Sequence, residues 1–130
     1  MPLLHFHLIK GSRTTDEVSS LLDAAHGAML AAFKVPERDR YQLVSEHDAT
    51  HMVIQDTGLD IPRTNKVVLL QVVSRPRPKE QIAEFYRLLA EALEAECELK
   101  PSDLMVSIVQ NADEHWSFGW GRAQFLTGEL

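Results

Sequence analysis

Apolar and polar positions alternate at the start of the chain, in the segment LLHFHLI. Leu4, Phe6 and Leu8 are separated by single residues that include two histidines. This period of two is typical of a β-strand with one buried face, so we predict a strand over residues 3–9. Pro2 precedes it, and proline is tolerated at the first residue of a strand because its missing N–H is not needed there.

The apolar period becomes helical after the turn GSRTT. Thr14 and Glu17 have the spacing of a capping box, which marks a helix start. Apolar residues then recur at helical spacing: Val18, Leu21, Leu22, Ala25, Met29 and Phe33. We predict a helix over residues 15–33 and, after the polar connection VPERDR, a strand in YQLVSEH. This order predicts a βαβ unit with a right-handed crossover.

The same order recurs in the second half of the chain. VVLLQVVS reads as a buried strand, RPRPKEQ as a turn, IAEFYRLLAEALEAEC as an amphipathic helix and LMVSIVQ as a strand. Pro78 suits the first position of that helix. A shift of about 64 residues superposes most apolar positions of one half on the other. We therefore predict one domain of two βαβ repeats, about 1–65 and 66–130.

Two such repeats predict an α+β two-layer sandwich, with a four-stranded mixed sheet and both helices on one face. The other sheet face would be uncovered, yet VVLLQVV and LMVSIV are apolar on both sides. Oligomerisation is the simplest cover for such a face. The aromatic ending HWSFGWGRAQFLTGEL is predicted to pack on a neighbouring subunit or to wall a pocket.

Composition narrows the partners. The chain has 130 residues, 45% of them hydrophobic, and a formal net charge of -6, which argues against nucleic acid or an anionic membrane. A small anionic substrate remains compatible if arginines are locally concentrated. The single Cys97 excludes an internal disulfide and fits a reducing compartment. The apolar segments are too short to span a bilayer, and a signal-peptide pattern is missing, so we expect a cytoplasmic protein.

Pro2 is the first candidate for chemistry. If Met1 is removed, Pro2 carries a free secondary amine at a rigid strand end, and such amino groups titrate near about 7.7–8.0. A neighbouring carboxylate, for which Asp39 is the candidate, would raise that pKa. A cationic Pro2 acts as an acid or electrophile, and a neutral one as a base or nucleophile. If Met1 is retained, Pro2 is an amide and this chemistry is lost.

Arg75 and Arg77 are the candidate anion-binding residues. They flank Pro76, and their spacing points both side chains the same way in an extended backbone, so the two guanidinium groups could hold one carboxylate. The alternatives are a polyproline-type ligand for RPRP and a solvated turn residue for Asp39.

Clustered histidines and acids raise the question of a metal. The residues concerned are His5, His7, Glu46, His47, Asp48 and His51. His47 and His51 are four residues apart, but His47 ends a predicted strand, and no helical context supports a ligand set. We therefore predict no metal site and expect these histidines at a subunit surface.

Several segments together resemble the malonate semialdehyde decarboxylase family of the tautomerase superfamily. They are Pro2 behind Met1, VPERDRYQ, SRPRP, DLMVSIVQN and the ending WSFG…GRAQFLTGEL, and the resemblance covers nearly the whole chain. It implies a homotrimer, a catalytic amino-terminal proline, and decarboxylation of a 3-oxo acid to an aldehyde with no metal or organic cofactor. In that family the reaction belongs to bacterial breakdown of chlorinated three-carbon compounds.

With this resemblance, Asp39 is expected to orient Pro2 or a water molecule. Arg75 and Arg77 would turn the scissile carboxylate out of the carbonyl plane, since uniform ground-state binding does not accelerate chemistry. Three aromatic side chains would keep water away from the substrate: Trp116, Phe118 and Phe125. The alternatives are a tautomerase, isomerase or hydratase acting on short 2-oxo acids, and a trimeric binding protein without catalytic activity.

Overall fold

The computed structural model describes all residues 1–130. The strands and helices, in chain order, are β1 (Leu3–Ile9), α1 (Thr15–Phe33), β2 (Tyr41–His47), β3 (Val68–Ser74), α2 (Lys79–Cys97), β4 (Leu104–Gln110) and α3 (Gln124–Thr127). Three short 3-10 turns occur at Ala49–His51, Pro101–Asp103 and Asp113–His115. None of the helices is both long and apolar enough to cross a membrane.

The four strands form one mixed sheet in the order β2-β1-β3-β4. β1 is parallel to β2, and β3 is parallel to β4, whereas the central strands β1 and β3 are antiparallel. Helices α1 and α2 pack against each other over the sheet. The predicted α+β sandwich of two βαβ repeats is confirmed. Because Leu3 pairs with Val73, the start of β1 lies beside the end of β3.

The capping box at the start of α1 is confirmed. Thr14 Oγ1 accepts from the Glu17 N–H at 3.1 Å, and Glu17 Oε1 accepts from the Thr14 N–H at 2.9 Å. The prediction for Pro78 was off by one residue. Pro78 is the N-cap of α2 because its ψ of 147° is extended, and the helix begins at Lys79.

The core lies between the sheet and the two helices. Leu4, Phe6 and Leu8 are buried there with alternate residues of β3 and the inner faces of α1 and α2. The opposite face of the sheet has no cover in the isolated chain. Leu43 is 53% exposed and Val109 is 62% exposed, so this face leaves apolar surface in contact with water.

A row of histidines crosses the uncovered sheet face. His7 Nδ1 lies 2.8 Å from His47 Nε2, and His7 Nε2 donates to Gln71 Oε1 at 2.7 Å. His5 Nε2 bonds Ser45 Oγ at 2.7 Å. No group of three or more histidine, cysteine or carboxylate side chains is arranged to hold a metal ion.

Asp103 occupies a buried position just before β4. Its carboxylate accepts from the Thr64 N–H at 2.7 Å and from the Thr64 hydroxyl at 2.5 Å. Nearby, Arg13 Nη2 donates to the carbonyl oxygen of Lys66 at 2.8 Å. The Asp103 bonds tie the segment before β3 to the turn before β4, and the Arg13 bond ties that segment to the loop that follows β1.

Candidate functional site

The amino terminus lies against a buried carboxylate. The Met1 nitrogen is 3.5 Å from Asp39 Oδ2, and Pro2 is buried behind it. The Asp39 side chain is only 2% exposed, and neither of its carboxylate oxygens accepts a hydrogen bond. A buried carboxylate without hydrogen bonds is unfavourable unless a cation is close. The terminal amine is therefore its ion-pair partner.

Asp39 is held in place by the loop between α1 and β2. Its N–H donates to the Pro36 carbonyl oxygen at 2.9 Å. The buried His26 of α1 donates through Nε2 to the Glu37 carbonyl oxygen at 2.9 Å, and Arg40 Nη2 donates to Asp23 Oδ1 of α1 at 2.7 Å. These bonds on both sides of residue 39 fix the carboxylate relative to α1.

Arg75 directly follows β3 and is held by an acidic partner. Its Nε donates to Asp113 Oδ1 at 2.7 Å and its Nη2 to Asp113 Oδ2 at 3.2 Å. The guanidinium carbon also lies 4.3 Å from the centre of the Phe125 ring, a cation–π distance. Arg75 is therefore oriented by two residues of the carboxyl-terminal segment.

Arg77 is anchored differently. Its Nε donates to Ser74 Oγ at 3.2 Å, its Nη1 donates to the Phe33 carbonyl oxygen at 3.2 Å, and its guanidinium carbon lies 4.9 Å from the Phe33 ring centre. None of these partners is charged. The positive charge of Arg77 is therefore not balanced by a bonded carboxylate and is available to a ligand. The positive charge of Arg75 is partly balanced by Asp113.

The charges of this site act on the amine. Burial lowers the pKa of the Met1 amine below its usual 8.0, Asp39 opposes that shift, and Arg77 and Arg75 add to it. The pKa of Arg77 is also lowered, first by burial and then by Arg75, while Asp39 raises it. Asp39 and both arginines are thus within electrostatic reach of the amine. At the Met1 amine, burial outweighs the raising effect of Asp39, and the raised pKa predicted for a free Pro2 amine stays a prediction.

The three predicted aromatic residues form one cluster. The Trp116 ring stacks on Phe118 with centres 5.6 Å apart, and Phe118 meets Phe125 edge-on at 5.4 Å. Tyr41, which was not predicted, stacks on the other side of Phe118 at 5.8 Å. Trp120 lies outside the cluster and is 88% exposed. The cluster connects the Arg75 side of the site with β2.

A cavity of about 260 Å³ opens between the amino terminus and the carboxyl-terminal segment. Its lining comprises Met1, Pro36, Arg38, Asp39, Tyr41, Phe118 and Leu130. Of these residues, Asp39 and Phe118 are predicted site residues. The volume is at the small end for ligand pockets. The other predicted site residues do not line this cavity: Pro2, Arg75, Arg77, Trp116 and Phe125.

Two residues that shape this site were missed by sequence reasoning. Asp113 pairs with Arg75, and the buried Gln124 accepts from the Phe118 N–H at 2.9 Å while donating to the Gly119 carbonyl oxygen at 2.8 Å. The parallel pairing of β3 and β4 could have indicated Asp113, because the residues that follow two parallel strands meet at one sheet edge. No sequence signal marks Gln124.

Comparison with known proteins finds relatives that are described as tautomerases. Residues 39–119 match a family described as tautomerase enzyme, and residues 2–61 match a second family of the same description. The chain is 55% identical to probable tautomerase YrdN of Bacillus subtilis (strain 168), and the match covers the full length of both proteins. It is 28% identical to probable tautomerase YusQ of the same organism, over 97% of this chain and 99% of YusQ.

Solved structures agree with these relatives. A malonate semialdehyde decarboxylase is 56% identical, with a TM-score of 0.96 and 98% of each chain covered. A second malonate semialdehyde decarboxylase, inhibited by 3-bromopropiolate, is 32% identical, with a TM-score of 0.93 over 98% of this chain and 97% of the other. A fused 4-OT symmetric trimer, 20% identical at a TM-score of 0.78 over 97% and 98%, shares the fold. The chain therefore belongs to the tautomerase superfamily of enzymes.

Proposed function

We propose that this protein is a cofactor-independent decarboxylase that converts malonate semialdehyde, or a related 3-oxo acid, to an aldehyde and carbon dioxide. The observation that carries the proposal is the amino terminus, 3.5 Å from the buried, unbonded carboxylate of Asp39. Arg75 and Arg77 lie within electrostatic reach of it. The malonate semialdehyde decarboxylase that is 56% identical supports the proposal. Its structures include a form with a proline at position one replaced by alanine, and they were related to decarboxylase and hydratase activities.

The proposed chemistry begins with removal of Met1, which frees the secondary amine of Pro2 beside Asp39. Decarboxylation breaks the bond between C2 and the carboxylate carbon, and the electron pair moves through C2 toward the aldehyde carbonyl. A cationic Pro2 stabilises this charge by donating a proton or hydrogen bond to the carbonyl oxygen. On the other route, a neutral Pro2 first condenses with the carbonyl carbon and releases water, and the resulting iminium accepts the electron pair. C2 then takes up a proton, which gives the aldehyde directly or, on the iminium route, a product iminium that water hydrolyses to the aldehyde and free Pro2. Asp39 favours the cationic amine.

Arg75 and Arg77 have the role of holding the carboxylate. To raise the rate, they must hold it out of the plane of the neighbouring carbonyl, because only interactions that strengthen toward the transition state accelerate the chemical step. The carbon dioxide that forms is neutral. The aromatic cluster of Trp116, Phe118 and Phe125 favours that loss of charge by limiting water at the leaving group.

The alternative is a tautomerase or hydratase acting on short 2-oxo acids. The observation that favours it is the lowered pKa of the Met1 amine, since the same burial acting on Pro2 would leave more neutral amine at neutral pH to act as a base. The name of the YrdN relative also favours it. The protonation state of Pro2 in the Met1-free chain separates the two reactions.

We further propose that the uncovered sheet face is buried in a homotrimer. Apolar side chains of β2 and β4 on that face are half exposed or more, with Leu43 at 53% and Val109 at 62%. Sedimentation at several concentrations tests this assembly. A monomer at all concentrations would contradict the assembly without bearing on the reaction.

The first experiment is the intact mass of the purified protein before and after treatment with 3-bromopropiolate, with the modified residue mapped by peptide. We expect a chain without Met1 that is modified on Pro2 and that releases carbon dioxide from malonate semialdehyde. A chain that keeps Met1 and takes no label at Pro2 would favour a binding protein without catalytic activity and would contradict the proposal.

Arginine variants test the carboxylate site. Arg75→Ala and Arg77→Ala should each abolish turnover without unfolding the protein. The matched control is Arg87→Ala, which removes an exposed arginine of α2 paired with Glu84 and Glu91. Unchanged kinetics in either site variant would contradict the role assigned to that arginine.

A further inference from the structure

Asp113 is placed to act on the charge of the site. Ser74 at the end of β3 pairs with Gln110 at the end of β4, so the residues after both strands lie at the same sheet edge. Asp113 meets Arg75 there through two bonds, at 2.7 and 3.2 Å. Such a bidentate pair fixes both the position and the plane of a guanidinium group.

The pair leaves Arg75 only partly available to a ligand. Nε and Nη2 donate to Asp113, while the face of the guanidinium lies over Phe125. Nη1 donates no hydrogen bond within the protein, so its two N–H groups and the second N–H of Nη2 remain for a substrate. Arg77, which has only neutral partners, contributes the uncompensated charge.

The charged groups around the amine give a simple balance. The protonated amine, Arg75 and Arg77 carry three positive charges, and Asp39 and Asp113 carry two negative charges, which leaves one positive charge. Arg38 and the carboxyl-terminal Leu130, which also line the cavity, add one charge of each sign and leave the sum unchanged. A ligand with one carboxylate neutralises that charge. A dicarboxylate would leave one negative charge uncompensated at a site that is partly closed to water.

We infer that Asp113 is a specificity-determining residue that makes this site select acids with one carboxylate over dicarboxylates. It does so by neutralising Arg75 while holding its guanidinium in place. The inference rests on the proposed function, because it takes the amino terminus and the two arginines as the substrate site. Without the Asp113 charge, the same groups carry two positive charges and suit a dianion.

The test compares the binding of propionate and malonate, two non-reacting acids, by calorimetry on the Met1-free protein. In Asp113→Asn the amide oxygen can still accept from Arg75 Nε, but the negative charge is gone. We expect the malonate-to-propionate affinity ratio to rise about 3- to 10-fold, the size of one partly screened charge at this range. Asp113→Glu keeps the charge and should keep the wild-type ratio.

Glu84→Gln is the matched control, since it also removes an exposed carboxylate that is paired with an arginine, but on the outer surface of α2. An unchanged ratio in Asp113→Asn, or an equal rise in Glu84→Gln, would overturn the inference. So would wild-type protein that binds neither acid. Circular dichroism confirms that each variant is folded.

Turnover of malonate semialdehyde by the wild-type protein is measured separately. Turnover combined with an unmoved ratio in Asp113→Asn would overturn the inference and leave the proposed reaction standing. A moved ratio in a protein that never releases carbon dioxide would overturn the proposed reaction while the selectivity by charge stands.

Discussion

Replacing Asp39 by asparagine removes the charge beside the amino terminus while keeping the size of the side chain. Because neither oxygen of Asp39 accepts a hydrogen bond, the substitution removes the ion pair with the amine and no side-chain hydrogen bond. The carboxylate stabilises the protonated amine, and the variant therefore lowers the pKa of the amine further. Burial and the two arginines, which also lower it, remain in place.

The magnitude follows from the distance. The Met1 amine and the Asp39 carboxylate, 3.5 Å apart, interact by about 5 kcal/mol at an effective dielectric constant of about 20. We expect an interaction of similar size for the Pro2 amine once Met1 is removed. The amine is still partly open to solvent, which reduces this to about 2 kcal/mol. The pKa of the amine should therefore fall in Asp39→Asn, and an interaction of about 2 kcal/mol corresponds to a roughly 30-fold larger neutral fraction at a pH well below the midpoint.

The assay is the rate of modification of Pro2 by 3-bromopropiolate as a function of pH, measured on Met1-free protein. Only the neutral amine reacts, so the midpoint of the pH profile reports its pKa. We expect the midpoint to move to lower pH in Asp39→Asn, and no shift in Asp48→Asn, which removes a distant, exposed carboxylate. A midpoint that stays in place or rises would refute the ion pair between Asp39 and the amine.

Two further predictions concern stability. Gln124→Glu should lower the free energy of unfolding, measured by urea denaturation, by about 1–3 kcal/mol, because a carboxylate oxygen would face the Gly119 carbonyl oxygen in place of the present donor. The control is Gln55→Glu at an exposed position, and equal stabilities of the two variants would contradict this role of Gln124. The pKa of His5 is lowered, first by burial and then by His7 and His47, so below about pH 6.5 the unfolded chain binds more protons than the folded one. The free energy of unfolding should therefore fall as the pH drops from 7 to 5. His5→Gln should reduce this dependence of stability on pH, and His51→Gln, at an exposed position, should not. An unchanged pH dependence in His5→Gln would show that His5 does not cause it.

The regular elements were predictable because their side chains repeat with a fixed period. The alternation around Phe6 and the capping box at Thr14 gave the bounds of β1 and α1 that the structure has. Pro78 was misplaced by one residue because proline is favourable on both sides of a helix start. The bounds of strands and helices depend on neighbouring residues, and a single sequence contains that information.

The contacts of the site were less predictable, because they join residues distant in the sequence. Arg75 and Asp113 are 38 residues apart, and their contact depends on how β3 and β4 align. The lowered pKa of the amine depends on burial, which comes from the packing of the whole domain. Sequence reasoning therefore found Asp39 and the two arginines, but neither Asp113 nor the balance of charge among these groups.

The antiparallel pairing of β1 with β3 places the two βαβ units head to tail, so that each end of the sheet has a comparable corner. Helices α1 and α2 begin 64 residues apart, at Thr15 and Lys79, and the same offset takes Asp39 to Asp103 and Arg77 to Arg13. At the second corner the chain runs on through Lys66, so no terminal amine can form there. Thr64 instead saturates Asp103 with two hydrogen bonds. We therefore expect one reactive centre per subunit, with its counterpart serving as a structural joint.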